Sequence, residues 1–257
     1  MTHPLTARTR LAKAPRIAAF LAGAGLLAIA GCTDEAESTA ASAVLPNSDA
    51  VLMAQADTAP ATPATPAVEA PESSGSVDVA DLMAEGPLPD VVIGDADAPV
   101  TIVEYASMTC SHCADFHENS YPQIKTDFLD TGKAKLIIRE FPFDPRALAG
   151  FMLARCTGDD AKRTAMIDVL FSQQDDWARA DNASAALLKI AKLAGMSQDE
   201  FTSCLNDKEM QEKIVEIQQK GQNEFGVNAT PTFFINGDKF SGALSAEQMA
   251  AAIRARM

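Results

Sequence analysis

The chain has 257 residues, 47% of them apolar, and carries 35 acidic side chains against 21 basic ones, a formal charge of −14. That imbalance excludes nucleic acid as a partner and adhesion to anionic headgroups through a basic patch. The length exceeds one average domain, but the first eighty or so residues lack the composition to pack, so only the remainder needs to fold.

At the amino end Arg8, Arg10, Lys13 and Arg16 stand without an acid, and Ile17 to Ala30 is apolar. A charged region followed by a short apolar one reads as an export signal over residues 1–31, and fourteen apolar residues are too few to span a bilayer. Ile29-Ala-Gly-Cys32 is similar to a bacterial lipobox, which implies a lipid on Cys32, membrane attachment through it and a periplasmic location. Ordinary cleavage after Ala28-Ile-Ala30 is the competing reading, and it would release a chain with a spare thiol. Without residues 1–31 the mature chain keeps 17 basic residues against 35 acidic ones, a formal charge of −18.

Residues 32–80 are rich in Ala, Thr, Pro, Ser and Glu, and from Thr33 to Val77 there is no aromatic, Lys or Arg. Such a segment buries too little to offset its chain entropy, so a disordered tether is expected. Some 45 residues of coil span roughly 35–40 Å.

The folded part is expected from Pro89. Asp90-Val-Val-Ile93 and Val100 to Ala106 read as strands separated by a turn-rich Gly-Asp-Ala-Asp-Ala-Pro. A helix from about Cys110 to Leu129 follows, with Pro122 expected to kink it, and Lys135 to Phe141 is a third strand. From Arg146 to about Phe225 the pattern turns helical, with segments at 147–156, 161–171, 183–194 and 198–219. Ala229 to Gly237 reads as an apolar strand closed by an Asn-Gly turn, and Ser245-Ala-Glu-Gln248 opens a final helix with capping-box spacing. The order is α/β: a thioredoxin-like fold over 89–145 and 226–257, interrupted by an all-helical insert over 146–225.

Cys110-Ser-His-Cys113 lies where the second strand hands over to a helix. The first turn of a helix leaves N–H groups unpaired and carries partial positive charge, so a Cys110 thiolate is favoured there, with Cys113 one turn on to close or resolve a disulfide. His112, between the two, can favour the thiolate by hydrogen bonding or charge; its alternative is a solvated ring. Asp115 and Glu118 on the same helix oppose the thiolate, and His117 reads as a surface helix residue. Zinc would need two further ligands and no second C-x-x-C exists; attached haem would need histidine where Ala114 stands. No cofactor is expected.

With these motifs in place the chain resembles the DsbA-like thiol-disulfide oxidoreductases over Pro89 to Met257. The resemblance rests on C-S-H-C after a strand, a helical insertion, Ala229-Thr-Pro-Thr-Phe233 before an Asn-Gly turn, and a glutamate six residues before the first cysteine. It implies that Cys110 is the exposed nucleophile and Cys113 its buried partner. It also implies that Thr230 and a cis Pro231 pack beside them, and that Glu104 is an acid beneath them that relays a proton for Cys113. An ordinary solvated strand glutamate is the alternative for Glu104. Ser111 and Thr230 depart from the best-known pattern of proline and valine at positions that touch the disulfide. Met108, Phe233 and Phe234 are candidates for a shallow groove that takes extended peptide, with core positions as the alternative for all three. Cys156 and Cys204, in different helices of the insert, read as a structural disulfide, with two buried thiols or a second redox pair as the alternatives.

The expected function is a periplasmic oxidase that donates the Cys110–Cys113 disulfide to unfolded or partly folded exported proteins. The resemblance implies re-oxidation by a quinone-linked membrane partner of the DsbB type. A reductase or isomerase kept reduced by a membrane thiol donor uses the same chemistry in the other direction, and a copper(I)-binding module built on two soft thiolates and His112 is the reading from another class.

Overall fold

The computed structural model describes residues 68–257. The export signal, Cys32 and residues 32–67 of the expected tether lie outside them.

Five strands form one sheet: β1 (Val92–Gly94), β2 (Val100–Ala106), β3 (Ala134–Glu140), β4 (Thr232–Ile235) and β5 (Asp238–Ser241), in the order β1-β3-β2-β4-β5. Only β2 and β3 are parallel, and the helical run over 111–129 crosses between them. β2 is central, so both of its faces are covered and its sequence is an almost unbroken apolar run. Alternate residues serve two cores. Val100, Ile102 and Ala106 face the larger one, with Cys113, Phe116 and Phe233, whereas Val103 and Tyr105 face a smaller one with Ile137, Phe141, Ile217 and Phe234. Glu104 therefore points to the cysteine side of the sheet.

The helical run after the cysteines is α2 (Ser111–Asp115), a π turn (Phe116–Ser120), α3 (Tyr121–Ile124) and a second π turn (Lys125–Leu129). Pro122 has no N–H to give to the preceding turn, and the wider π turn directly before α3 accommodates it. Next come α4 (Pro145–Arg155), α5 (Asp160–Ser172), α6 (Gln174–Ala178), α7 (Ala183–Leu193), α8 (Gln198–Leu205) and α9 (Lys208–Glu224), and α10 (Ala246–Arg254) closes the chain. The segment expected as one helix over 198–219 is two, because Asp207 caps the start of α9 by accepting from Met210 N–H. The short α6 has no counterpart in the sequence reading. The helices between β3 and β4 do not form a separate core: Phe151, Met166, Leu170, Phe171 and Trp177 pack in the same cluster as the sheet.

Residues 74–82 differ from the expected tether. Ser74 N–H donates to Lys239 O and Lys239 N–H to Gly75 O, both at 2.8 Å, and Val77 N–H donates to Gly237 O at 2.9 Å. Asp78 caps a short helix, α1 (Val79–Leu82), whose Leu82 is buried in the smaller core. The physical reason is the open edge of β5, which pairs through backbone groups and so needs no apolar sequence in the segment that covers it. β5 itself arises from the Asn236-Gly237 turn: φ values of 46° and 89° make the two-residue hairpin that suits twisted strands. A side chain at Gly237 would place its Cβ 2.6 Å from Val77 O.

A buried ionic cluster ties β3 to the helices. Glu140 Oε1 accepts from Arg155 Nε at 2.7 Å and from an Arg163 guanidinium nitrogen at 2.9 Å. Burial opposes ionisation of Glu140, but the two arginines outweigh it and hold the carboxyl below its usual range. The cluster thus stabilises the fold above the unfolded carboxyl's range and loses that contribution as the pH falls through the lowered folded value. Glu140→Ala leaves two buried guanidinium groups unpaired, and denaturant titration at neutral pH is expected to register a loss of about 3–5 kcal/mol.

Candidate active site

β2 ends at Ala106, and the next four residues bring the chain to Cys110, the N-cap of α2, with φ −80° and ψ 118°. Cys110 O accepts from the N–H groups of Cys113 and Ala114, both at 3.1 Å, which starts the helix. Two ties fix the approach. Gln174 of α6, buried, donates from Nε2 to Met108 O at 2.9 Å and to Cys110 O at 3.0 Å. Thr109 Oγ1 donates to Asp144 Oδ2 at 2.5 Å, while Oδ1 of the same carboxylate caps α4 through Arg146 and Ala147 N–H.

Both thiols are free, and they differ in exposure: Cys110 is half-buried and Cys113 has no exposed surface. That asymmetry separates their chemistry. The Cys113 S–H donates to the Cys110 sulfur and is the largest cause holding the Cys110 pKa down, to about 5. Burial works against ionisation, and the Thr230 hydroxyl and the N–H groups of Cys113 and His112 add to the lowering. Cys113 moves the other way: burial, the hydrogen bond it gives to Cys110 and the Glu104 charge push it well above an ordinary thiol.

The Thr230–Pro231 peptide is cis and lies against the nucleophile, with Cys110 Sγ–H donating to Thr230 O at 3.2 Å. Thr230 Oγ1 is buried with no other partner, which leaves it available to a thiolate. Glu104 is fully buried, so it is not a solvated strand glutamate; its Oε2 lies within hydrogen-bond distance of Nε2 of His117, at 3.0 Å.

Other expected positions fall elsewhere. His112 is exposed and reaches Cys110 through its backbone N–H; its ring is not among the groups that lower the thiol. His117, expected on the surface, is buried and stacks on Phe171 with ring centroids 4.2 Å apart. It lies four residues after buried Cys113, on the side of the run that faces the core. Met108, Phe233 and Phe234 have no exposed surface and line no groove: the last two alternate across central β4, one into each core. Cys156 and Cys204 form a disulfide between the end of α4 and α8, with Cα atoms 6.1 Å apart. Among the described residues no group of three or more His, Cys, Asp or Glu side chains is placed to hold a metal ion, so the copper reading has no ligand set there. Gln174 and Asp144 went unread because nothing in their sequence spacing links them to the cysteines, and Thr109, although next to Cys110, because its partner Asp144 lies 35 residues away.

A reactive and a buried thiol at the start of a helix, opposite a cis-proline on a thioredoxin-like sheet, define a dithiol redox protein. The thioredoxin family model matches residues 88–255, and the chain belongs to that family as a DsbA-like member. Wolbachia pipientis alpha-DsbA1 is 36% identical, with 66% of this chain and 92% of that one superposed at a TM-score of 0.62. A Rickettsia conorii protein named protein-disulfide oxidoreductase is 37% identical over 153 residues, which are 58% of this chain and 53% of that protein. The chain therefore spans about half the length of the curated relatives it matches. BdbD from Bacillus subtilis, 23% identical with a TM-score of 0.57, shares the fold.

Ionisation of Cys110 stabilises the folded, reduced protein above the unfolded thiol's range, a contribution that is lost as the pH falls toward 5. The alkylation rate of Cys110 is expected to inflect near pH 5 and stay level to pH 8, and Thr230→Val is expected to move the inflection upward. Iodoacetamide kinetics with mass-spectrometric readout check both; an inflection near 8.5, the range of an ordinary thiol, contradicts the assignment.

Proposed function

We propose that the chain is a periplasmic thiol-disulfide oxidoreductase that acts as an oxidase, donating a Cys110–Cys113 disulfide to reduced, unfolded or partly folded exported proteins. The observation that carries this reading is the setting of Cys110, half-buried at the start of α2 with buried Cys113 one turn on and the cis Thr230–Pro231 peptide alongside, a setting that holds its thiol down to about 5. A stabilised thiolate favours the dithiol over the disulfide, and a disulfide whose reduced form is stabilised is a strong oxidant.

The chemistry follows from the asymmetry of the two sulfurs. A client thiolate attacks Cys110 Sγ; the Cys110–Cys113 bond breaks and its electron pair leaves on Cys113, which takes a proton. A second client thiolate then attacks the client sulfur of the mixed disulfide, and Cys110 leaves as the thiolate that its surroundings favour. The client has lost two electrons and the protein holds them as a dithiol. Re-oxidation by a quinone-linked membrane partner of the DsbB type completes the cycle. Half-exposure of Cys110 beside the Thr230 carbonyl supports loose selection of clients through backbone and sulfur contacts.

Equilibration of the pair with glutathione tests the direction of exchange. Thioredoxin sits near −270 mV, and a potential at least about 100 mV more positive is expected. A value near thioredoxin's would overturn the oxidase and favour the reductase. The proposed anchor has its own check: the full chain is expected in the membrane fraction, and Cys32→Ser in the soluble one. Equal partition of the two would remove the lipid.

A further inference from the structure

When Cys113 leaves as a thiolate it is wholly buried, and burial together with the Glu104 charge makes the anion unfavourable there. Its proton has to come from within the core. Glu104 is the acid on that face of β2, yet it too has no exposed surface and cannot exchange with water directly. His117 sits four residues after Cys113 on the same helical run, hence on the same side, and its Nε2 is 3.0 Å from Glu104 Oε2. Aromatic rings hold the imidazole in place: Phe171 stacks on it, Tyr121 lies with its centroid 5.2 Å away, and Phe116 meets it edge-on.

His117 also lines a cavity of about 490 Å³, shared with Tyr121, Lys125, Asp168 and Ser172. Asp168 of α5 is exposed at the residue level, so the cavity reaches solvent. Three buried polar atoms along this line, Glu104 Oε1, His117 Nδ1 and Tyr121 Oη, have no protein partner. A purely structural ion pair satisfies its remaining lone pairs and protons. This one leaves hydrogen-bonding capacity on both members, at Glu104 Oε1 and at His117 Nδ1.

We propose that His117 is the positioning residue that connects Glu104 to solvent through this cavity, so that Cys113 gains and loses its proton without the core opening. The assignment rests on the exchange reaction proposed above and deepens it. In the oxidising direction the Nε2–H of His117 passes its proton to the Glu104 carboxylate, the carboxyl so formed passes it to the Cys113 thiolate, and the His117 ring takes a proton back from water. The resolving step runs the same transfers backward: Cys113 gives up its proton, attacks Cys110 Sγ of a mixed disulfide and expels the partner as a thiolate. The charged and titratable groups that face His117 are Glu104 from β2, Tyr121 from α3, Asp168 from α5, and Glu118 and Lys125 from the π turns.

The test uses the Cys110 mixed disulfide with glutathione and follows its displacement by Cys113 in a single turnover, by acid quench and mass spectrometry from pH 5 to 8. His117→Gln keeps a hydrogen bond to Glu104 and removes the titrating group. The variant is expected to resolve the mixed disulfide about tenfold or more slowly and to lose the wild-type pH dependence, while Cys110 alkylation is unchanged. Resolution within twofold of wild type with the same pH profile would overturn the relay. In the wild-type protein, which settles the matter if the variant does not fold, the ring ¹⁵N shifts of His117 are expected to differ between the oxidised and dithiol forms; identical shifts across pH 5 to 8 overturn it as well. A wild-type chain that forms no glutathione mixed disulfide at all refutes the exchange function instead.

Discussion

A single negative charge placed on Cys110 Sγ is the interaction on which the rest of the structure depends. The sulfur sits at the amino end of the helical run over 111–129, where unpaired N–H groups point toward it, and it receives the S–H of Cys113 and faces the Thr230 hydroxyl. None of these donors is cationic. They act because each is held at contact distance in a half-buried place, where short hydrogen bonds count for more than screened charges farther away. An acidic chain with Asp115 and Glu118 on the same run can for that reason hold a low thiol pKa.

Much of the fold serves to keep that contact set in register. Central β2 delivers the loop to the helix start, its antiparallel neighbour β4 brings the cis-proline segment alongside, and Gln174 of α6 and Asp144 at the cap of α4 fasten the loop. The insert is thus part of the site's frame. Its own attachment runs through the shared core, the Glu140 cluster and the Cys156–Cys204 disulfide. The difference between the two thiols has the same origin: one turn of helix carries the chain from a half-open edge to a position over the sheet with no exposed surface.

Features set by local pattern were legible in the sequence, and those set by tertiary contact were not. The run Val100 to Ala106 and the strand at β3 declare themselves by composition, and the cysteine pair by its place at a strand-to-helix junction. β5 went unread: the Asn236-Gly237 turn was taken only to close a strand, and a four-residue strand with Asp, Lys and Ser has no apolar run to announce it. Residues 74–80 do not have the disorder their composition suggests, because backbone pairing with an edge strand leaves no trace in side-chain composition. His117 was misread because a histidine on a helix is commonly solvated, although its place four residues after buried Cys113 sets it on the inward side of the run. His112 drew attention by proximity in sequence, while the buried histidine four residues beyond the second cysteine contacts the acid beneath the pair.

The central claim is that the charge belongs to one sulfur and the proton to the other. Site-specific ¹³C labelling of the cysteine Cβ atoms in the reduced protein, followed by NMR across pH 3 to 10, reads the two ionisations separately. The account predicts that the Cys110 resonance titrates near pH 5 and that Cys113 stays a thiol beyond the range of an ordinary cysteine, about 8.5. Both resonances moving together near that ordinary value would contradict it.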